Sequence, residues 1–140
     1  MSAQIEASVL IAGFANAAAL VLDDTLSFWG GFNPDNGEII DVHHPQFGEK
    51  VGGTILCIPE SKGSAGTPGG IAETLRNGSG PVAFILAKSD VNIAVGTLVA
   101  NKLYDIQIPV VEMTLAELQT IKTGEKLFIN AEGLVTFTDR

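Results

Sequence analysis

The chain has 140 residues, 46% of them hydrophobic, and a formal net charge of −8 at pH 7. This length is common for one domain, and no repeat or linker divides the sequence, so we expect residues 1–140 to form a single domain. The negative charge opposes binding to phosphate backbones and anionic lipid, and the 8 basic residues form no run or stripe. We therefore expect neither nucleic acid nor a membrane as partner.

The single cysteine, Cys57, cannot form an internal disulfide. It also cannot supply the about three or four thiolates that hold an iron–sulfur cluster. The apolar opening at residues 9–22 is interrupted by Gly13 and Asn16 and is too short to cross a bilayer. We therefore expect a protein of the reducing cytoplasm, without a signal peptide or a membrane segment.

The first third of the chain has the pattern of short strands separated by turns, because brief apolar runs alternate with glycine, proline and asparagine. Its predicted elements are a β-hairpin of strands 9–11 and 19–22, a strand from residue 25 broken at Gly30-Gly31, a tight turn at 34–37, a returning strand to residue 40, and a surface loop over 41–53. This part is therefore expected to be antiparallel.

The rest of the chain alternates strands and helices, which predicts a parallel sheet. Two continuous apolar runs are typical of strands covered on both faces, and Thr114 with Glu117 forms a capping box. The predicted elements are strands 54–59, 82–87 and 108–111, helices 67–78, 91–103 and 114–120, and a terminal hairpin of strands 126–130 and 134–137. The fold class is α/β: a parallel sheet with flanking helices plus an antiparallel β section.

The loop at residues 59–70 joins the end of a buried strand to the start of a helix, where α/β sheets most often bind ligands. Unpaired backbone N–H groups and the helix dipole favour an anion or a deprotonated hydroxyl there. Ser64 lies in this glycine-rich loop and is the candidate functional side chain, with an ordinary exposed hydroxyl as the alternative. The loop lacks the Walker pattern and the three-glycine dinucleotide fingerprint, which argues against nucleotide binding.

The 41–53 loop contains Asp41, His43, His44 and Glu49, whose side-chain types are common metal ligands. Adjacent side chains rarely bind one ion together, however. The favoured interpretation is therefore a surface loop that packs against a partner.

Three other features leave alternatives open. Cys57 is in the middle of an apolar strand, which favours a buried, inert thiol over a nucleophile. Phe28 and Trp29 are either core residues or an interface anchor. Asp90 follows a predicted strand and could face the same cleft as Ser64, although capping of the next helix is the favoured role.

Several of these motifs together resemble the swivelling-domain small subunit of the aconitase X family. The resemblance rests on LSFWGGFNPDNGEIID at residues 26–41, His43-His44-Pro45, Gly63-Ser64, Asn77-Gly78, Pro81-Val82-Ala83, Asp90 and Pro109-Val110-Val111, in that order. It covers nearly the whole chain and implies a swivelling β/β/α fold. That fold agrees with the organisation expected from the residues.

The resemblance implies a hydro-lyase, a dehydratase, of which this chain is the small subunit and is inactive without its large partner. Ser64 matches the serine that acts as the base, and its neighbours Lys62, Gly63, Ala65 and Gly66 occupy the implied substrate-binding loop. This loop departs from the commoner pattern of the family, which has arginine at the position of Lys62 and more serine after the catalytic residue. The resemblance also implies that this chain binds no cofactor alone. Iron or an iron–sulfur cluster would be held by the large aconitase X subunit, in a heterodimer or a larger assembly.

The implied substrate is a small hydroxy acid, either cis-3-hydroxy-L-proline or, as the alternative, mevalonate 5-phosphate. The motifs Phe28-Trp29-Gly30-Gly31 and His43-His44-Pro45 are more similar to those of the bacterial hydroxyproline branch, which favours the first. Two hypotheses of other classes compete with the dehydratase subunit. They are a stand-alone module that binds an anion at the glycine loop, and a structural or regulatory subunit without a catalytic role.

Overall fold

The computed structural model describes residues 3–23, 32–33, 35–59, 67–87 and 91–138. Its strands are β1 (Ala3–Glu6), β2 (Ser8–Ile11), β3 (Ala15–Val21), β4 (Phe32–Asn33), β5 (Glu38–Ile39), β6 (Ile55–Ile58), β7 (Ala83–Leu86), β8 (Val110–Glu112), β9 (Lys126–Ile129) and β10 (Leu134–Phe137). Its helices are α1 (Thr67–Arg76), α2 (Val91–Tyr104) and α3 (Leu115–Leu118).

Within the described residues, eight strands form one mixed sheet in the order β1-β10-β9-β3-β6-β7-β8-β2. The neighbours β3, β6, β7 and β8 run parallel, and the remaining pairs run antiparallel. Only Ala7 separates β1 from β2, so the two ends of this strand order are joined by one residue and the sheet closes on itself. The predicted α/β class, with a parallel and an antiparallel section, is confirmed.

Side chains of the parallel strands alternate between two hydrophobic cores, because successive residues of a strand point to opposite faces. On β6, Leu56 and Ile58 belong to the core beneath α1 and α2, which also contains Ile71 and Ile93. Cys57 belongs to the second core. That core lies inside the closed sheet and receives side chains from β1, β3, β9, β10 and α3. The structure therefore has three layers: the helices α1 and α2, the parallel strands, and the antiparallel strands.

The predicted elements of the second part of the chain are confirmed, with ends shifted by at most two residues. The capping box of α3 is present: Thr114 Oγ1 accepts from the Glu117 N–H at 3.1 Å, and Glu117 Oε1 accepts from the Thr114 N–H at 3.1 Å. The terminal hairpin is β9 and β10. The described part of the predicted turn, residues 35–37, leads into β5, which pairs with β4. Most of the strand predicted from residue 25 lies outside the described residues.

The predicted hairpin of strands 9–11 and 19–22 is wrong. The two strands form as β2 and β3, but β2 pairs with β8 while β3 lies between β9 and β6. The intervening segment packs elsewhere: Gln107 Nε2 donates to the Ala12 carbonyl oxygen, and Gly13 packs against Pro109. These contacts hold residues 12 and 13 against the segment that enters β8.

Cys57 is fully buried, with 0% of its surface exposed. Its Sγ lies 3.8 Å from the carbonyl oxygen of Ile55 on the same strand. Burial disfavours the thiolate and raises the pKa of the Cys57 thiol from 9.0 to about 12. The prediction of a buried, inert thiol is confirmed. As for membrane crossing, the part of the chain that the structure describes has no helix with the length and apolarity required.

Gly37 has φ +76°, and a Cβ there would collide with the carbonyl oxygen of Ser79, which ties the β4–β5 turn to the loop before β7. Gly48 also has a positive φ, +88°, but no surrounding atom lies within 4 Å of the position that a Cβ would take. Gly48→Ala is therefore a matched control that tests the backbone conformation alone. We expect Gly48→Ala to lower the free energy of unfolding by about 1 kcal/mol and Gly37→Ala by at least about 2 kcal/mol. Urea denaturation of both variants measures this; equal losses would contradict the close approach.

The buried thiol predicts a pH-dependent contribution to stability. Below pH 9 the thiol is protonated in both states, whereas above pH 9 only the unfolded chain ionises until the folded pKa of about 12 is reached. Between pH 8 and pH 10 we expect the free energy of unfolding of the wild type to fall, relative to Cys57→Ala, by on the order of 1 kcal/mol. Parallel urea titrations at both pH values measure the difference, and a constant difference would show that the thiol is not desolvated.

Candidate functional site

The carboxyl ends of the four parallel strands meet at one edge of the sheet. Backbone hydrogen bonds continue the ladder to this edge: the Leu22 N–H donates to Cys57 O at 3.0 Å, the Ala87 N–H to Ile58 O at 3.1 Å and the Met113 N–H to Leu86 O at 2.9 Å. Residues that follow these strands in the chain therefore leave the sheet at the same place. In α/β folds with parallel strands, ligands bind at this carboxyl edge.

The predicted catalytic loop leaves this edge from the end of β6. Ser64 and its predicted substrate-binding neighbours, Lys62, Gly63, Ala65 and Gly66, lie outside the described residues. The described flanks are Pro59, which directly follows β6, and the start of α1 at Thr67. The strand and the helix that the sequence predicted on either side of the loop are therefore confirmed, whereas the roles of the loop residues stay predictions.

Two other predicted features follow the neighbouring strands. Phe28 and Trp29 come after β3, and Asp90 comes after β7. All three lie outside the described residues, so their alternatives stay open. The last described residues before them, Asp23 and Ala87, lie at the same sheet edge as Pro59.

A pocket of about 380 Å³ opens at this edge beside the ends of β3 and β6, and we call it the edge pocket. It is lined by Val21, Leu22, Asp23, Gln46, Pro59, Leu118, Gln119, Ile121, Lys122 and Thr123. Its wall therefore combines two strand ends, the loop before β6, and the turn between α3 and β9. Its charged side chains among the described residues are one carboxylate and one ammonium.

The carboxylate of the edge pocket, Asp23, forms a reciprocal pair with Gln46. Gln46 Nε2 donates to Asp23 Oδ2 at 2.7 Å, and the Asp23 N–H donates to Gln46 Oε1 at 3.1 Å. The Gln46 N–H in turn donates to His44 Nδ1 at 3.0 Å. The pair fixes the loop before β6 against the end of β3 and leaves Asp23 Oδ1 able to accept a further hydrogen bond.

The histidine loop is built by its own polar side chains. The imidazole of His44 is buried, with 6% of its surface exposed, and the His43 N–H donates to Asp41 Oδ1 at 3.0 Å. Among the described residues, no three histidine, cysteine or carboxylate side chains are grouped so that they could hold a metal ion. Packing of this loop against a partner stays a prediction.

The ammonium of the edge pocket belongs to Lys122, in the turn that precedes β9. This turn is bound to the end of β3: the Val21 N–H donates to Thr123 Oγ1 at 3.0 Å, and the Lys122 N–H donates to Glu125 Oε1 at 2.7 Å. Asp23, Gln46 and Lys122 were not predicted from the sequence. The position of Asp23 directly after a strand was a usable signal, but nothing in the sequence connects it with Lys122.

A second pocket of about 260 Å³ lies farther along the same edge, at the ends of β7 and β8. Its wall includes three carboxylate side chains, Glu6, Glu112 and Glu117. Glu117 is already used by the capping box of α3. The edge is therefore acidic at this end and of mixed charge at the edge pocket, which makes the edge pocket the better receptor for a small anion or zwitterion.

Comparison with known proteins identifies the family. The family model of the aconitase X swivel domain matches residues 4–137. A cis-3-hydroxy-L-proline dehydratase of Hypocrea jecorina is 32% identical over 89% of this chain and 21% of its own length. A second enzyme of that name, from Pseudomonas aeruginosa, is 37% identical over 72% of this chain and 17% of its own length. The chain thus spans about a fifth of the length of these two relatives.

Two further relatives match almost end to end. The phosphomevalonate dehydratase small subunit of Methanocella arvoryzae is 33% identical over 91% of this chain and 92% of its own length. The crystal structure of Thermococcus kodakaraensis aconitase X in its holo-form superposes with a TM-score of 0.87, at 27% identity, and covers 98% of this chain and 99% of that one. Sequence and fold therefore agree: the chain belongs to the aconitase X swivel-domain family.

Proposed function

We propose that this chain is the swivelling small subunit of an aconitase X-type dehydratase, a hydro-lyase, and that Ser64 is its catalytic base. The observation that carries the proposal is the family match over residues 4–137. The longer relatives and the separate small subunits are both named as dehydratases. The position of the Ser64 loop supports it, because the loop starts from the carboxyl end of a buried parallel strand and ends at the first residue of a helix.

A serine hydroxyl is a weak base at neutral pH, so its surroundings must stabilise the alkoxide. The helix α1 has ten residues and begins three positions after Ser64, and the N–H groups in the first turn of a helix carry partial positive charge. Lys62 adds a positive charge in the same loop. In the proposed reaction, Ser64 takes the proton from the substrate carbon while this chain excludes water from one side of the site.

The described residues do not fit an iron or iron–sulfur centre. They contain no group of three metal-binding side chains, and Cys57, the chain's single cysteine, is buried in the closed sheet with a pKa of about 12. We therefore propose that iron or an iron–sulfur cluster, with the acid that assists the departing hydroxyl, is held by a large partner subunit in a heterodimer or larger assembly. The free thiol suits a reducing compartment, and we propose the cytoplasm.

For the substrate we propose cis-3-hydroxy-L-proline, with mevalonate 5-phosphate as the alternative. The relatives from Hypocrea jecorina and Pseudomonas aeruginosa carry the first activity in their names, and the small subunit from Methanocella arvoryzae carries the second. Identity to the two groups is similar, so overall sequence similarity alone does not decide between the substrates.

The test of the catalytic role is the Ser64→Ala variant in the enzyme reconstituted with its large subunit. We expect a loss of about 10²-fold to 10⁴-fold in kcat, the usual contribution of a general base, with assembly unchanged in size-exclusion chromatography. The chain alone is expected to be inactive and colourless.

Ser79→Ala is the matched control, because Ser79 precedes β7 and so lies at the amino edge of the parallel strands, opposite the carboxyl edge from which the Ser64 loop starts. The Ser79 hydroxyl donates to the Thr74 carbonyl oxygen at 3.4 Å. Its kcat is expected to stay near that of the wild type. An assembled Ser64→Ala enzyme with the kcat of the control would assign this chain a structural or regulatory role instead.

A further inference from the structure

We propose that the edge pocket binds a small zwitterionic amino acid, with Lys122 pairing with its carboxylate and Asp23 with its ammonium. The inference rests on the proposed function and deepens it, since it makes these two side chains determinants of substrate specificity. It favours cis-3-hydroxy-L-proline, which carries both charges, over mevalonate 5-phosphate, which carries a carboxylate and a phosphate and no positive charge.

The position of Asp23 suits a receptor for a positive charge. Its backbone and one carboxylate oxygen are fixed by Gln46, at 3.1 Å and 2.7 Å, before any ligand arrives. Fixing the carboxylate in advance lowers the entropy lost when a ligand binds. The remaining oxygen can accept a charge-assisted hydrogen bond from a secondary ammonium, a type of bond stronger than one between neutral groups.

The position of Lys122 suits a receptor for the opposite charge. The backbone of its turn is bound to β3 through Thr123 and closed by Glu125, while the Lys122 side chain is exposed and the residue lines the pocket. β9 runs antiparallel to β3, which is why the turn before β9 arrives at the carboxyl end of β3. An ammonium on a fixed turn attracts a carboxylate without the neighbouring chain having to rearrange.

The balance of charge in the pocket discriminates between the two candidate substrates. A zwitterion pairs its carboxylate with Lys122 and its ammonium with Asp23. Both side chains therefore have an opposite charge beside them when water leaves the pocket. A substrate with two anionic groups meets a single ammonium and is repelled by Asp23. The formal charge of −8 on the whole chain adds to this long-range repulsion.

The position of the edge pocket links it to the proposed chemistry. Pro59 lines the pocket and is the last described residue before the Ser64 loop. A substrate held there by its carboxylate and its ammonium is placed beside the strand end from which the base is supplied. The pocket therefore serves the part of the substrate that does not react, and orients it.

The direct test is an NMR titration of the ¹⁵N-labelled full chain with three unreactive probes. L-proline carries both charges, tetrahydrofuran-2-carboxylate carries only the carboxylate, and pyrrolidine carries only the ammonium. We expect L-proline to shift the amide signals of Asp23, Gln46 and Thr123, and to bind about tenfold more tightly than either single-charge probe, the gain typical of one charge-assisted hydrogen bond. Equal affinities for the three probes, or no shifts at these residues, would overturn the proposal.

Variants assign the two charges separately. Asp23→Asn should weaken L-proline about tenfold but not weaken tetrahydrofuran-2-carboxylate, whereas Lys122→Gln should weaken both but not weaken pyrrolidine. Lys126→Gln and Asp35→Asn are the matched controls, because both residues are exposed and lie outside the edge pocket. If a control lowers the affinity for L-proline as much as the pocket variant with the same change of charge, the effect is only one of overall charge and the assignment fails. If a pocket variant does not fold, the comparison of the three probes on the wild type still decides.

The same titration on Ser64→Ala separates this inference from the proposed function. L-proline that binds at the edge pocket of Ser64→Ala while the assembled variant is inactive supports both. An inactive variant whose chain, like the wild type, does not bind L-proline leaves the catalytic role standing and overturns the pocket. An active Ser64→Ala enzyme overturns the catalytic role whatever the titration shows.

Discussion

Closure of the sheet is the constraint on which the rest of this structure depends. The first described segment of the chain pairs with β10 through β1 and with β8 through β2, and a single residue, Ala7, connects the two. The Ala7 N–H donates to Gly133 O at 2.9 Å, so even this connecting residue is paired. One bent segment thereby joins the antiparallel strands to the parallel ones, and a core lies between them.

Closure also sets the place of the candidate site. Once the antiparallel strands cover one face of the parallel strands and the helices cover the other, the carboxyl edge is where loops can gather without disturbing either core. Asp23, Pro59 and Ala87 lie together at that edge although they come from three separate parts of the sequence. The turn at Lys122 joins them because β9 runs antiparallel to β3. The edge pocket is thus a product of topology rather than of any contiguous motif.

The sequence predicted what local physics controls. Glycine, proline and capping residues defined α1 and α3, and two continuous apolar runs defined the buried strands β6 and β7. The partners of β2 and β3 were predicted wrongly, because pairing depends on residues about 100 positions away and a short turn between two strands does not reveal it. Asp23 and Lys122 were missed for the same reason. The Ser64 loop was recognised by its resemblance to a family, and its geometry lies outside the described residues.

The pairing of β1 with β10 has an evolutionary consequence. Ala3 lies opposite Phe137 in the register, so the first and the last described strands along the sequence are neighbours in the sheet. A further polypeptide can then be attached before β1 or after β10 without cutting any core element. Gene fusion and gene fission therefore cost this fold little. This explains how similar domains can occur within much longer enzymes, as in Pseudomonas aeruginosa, and as separately encoded subunits, as in Methanocella arvoryzae.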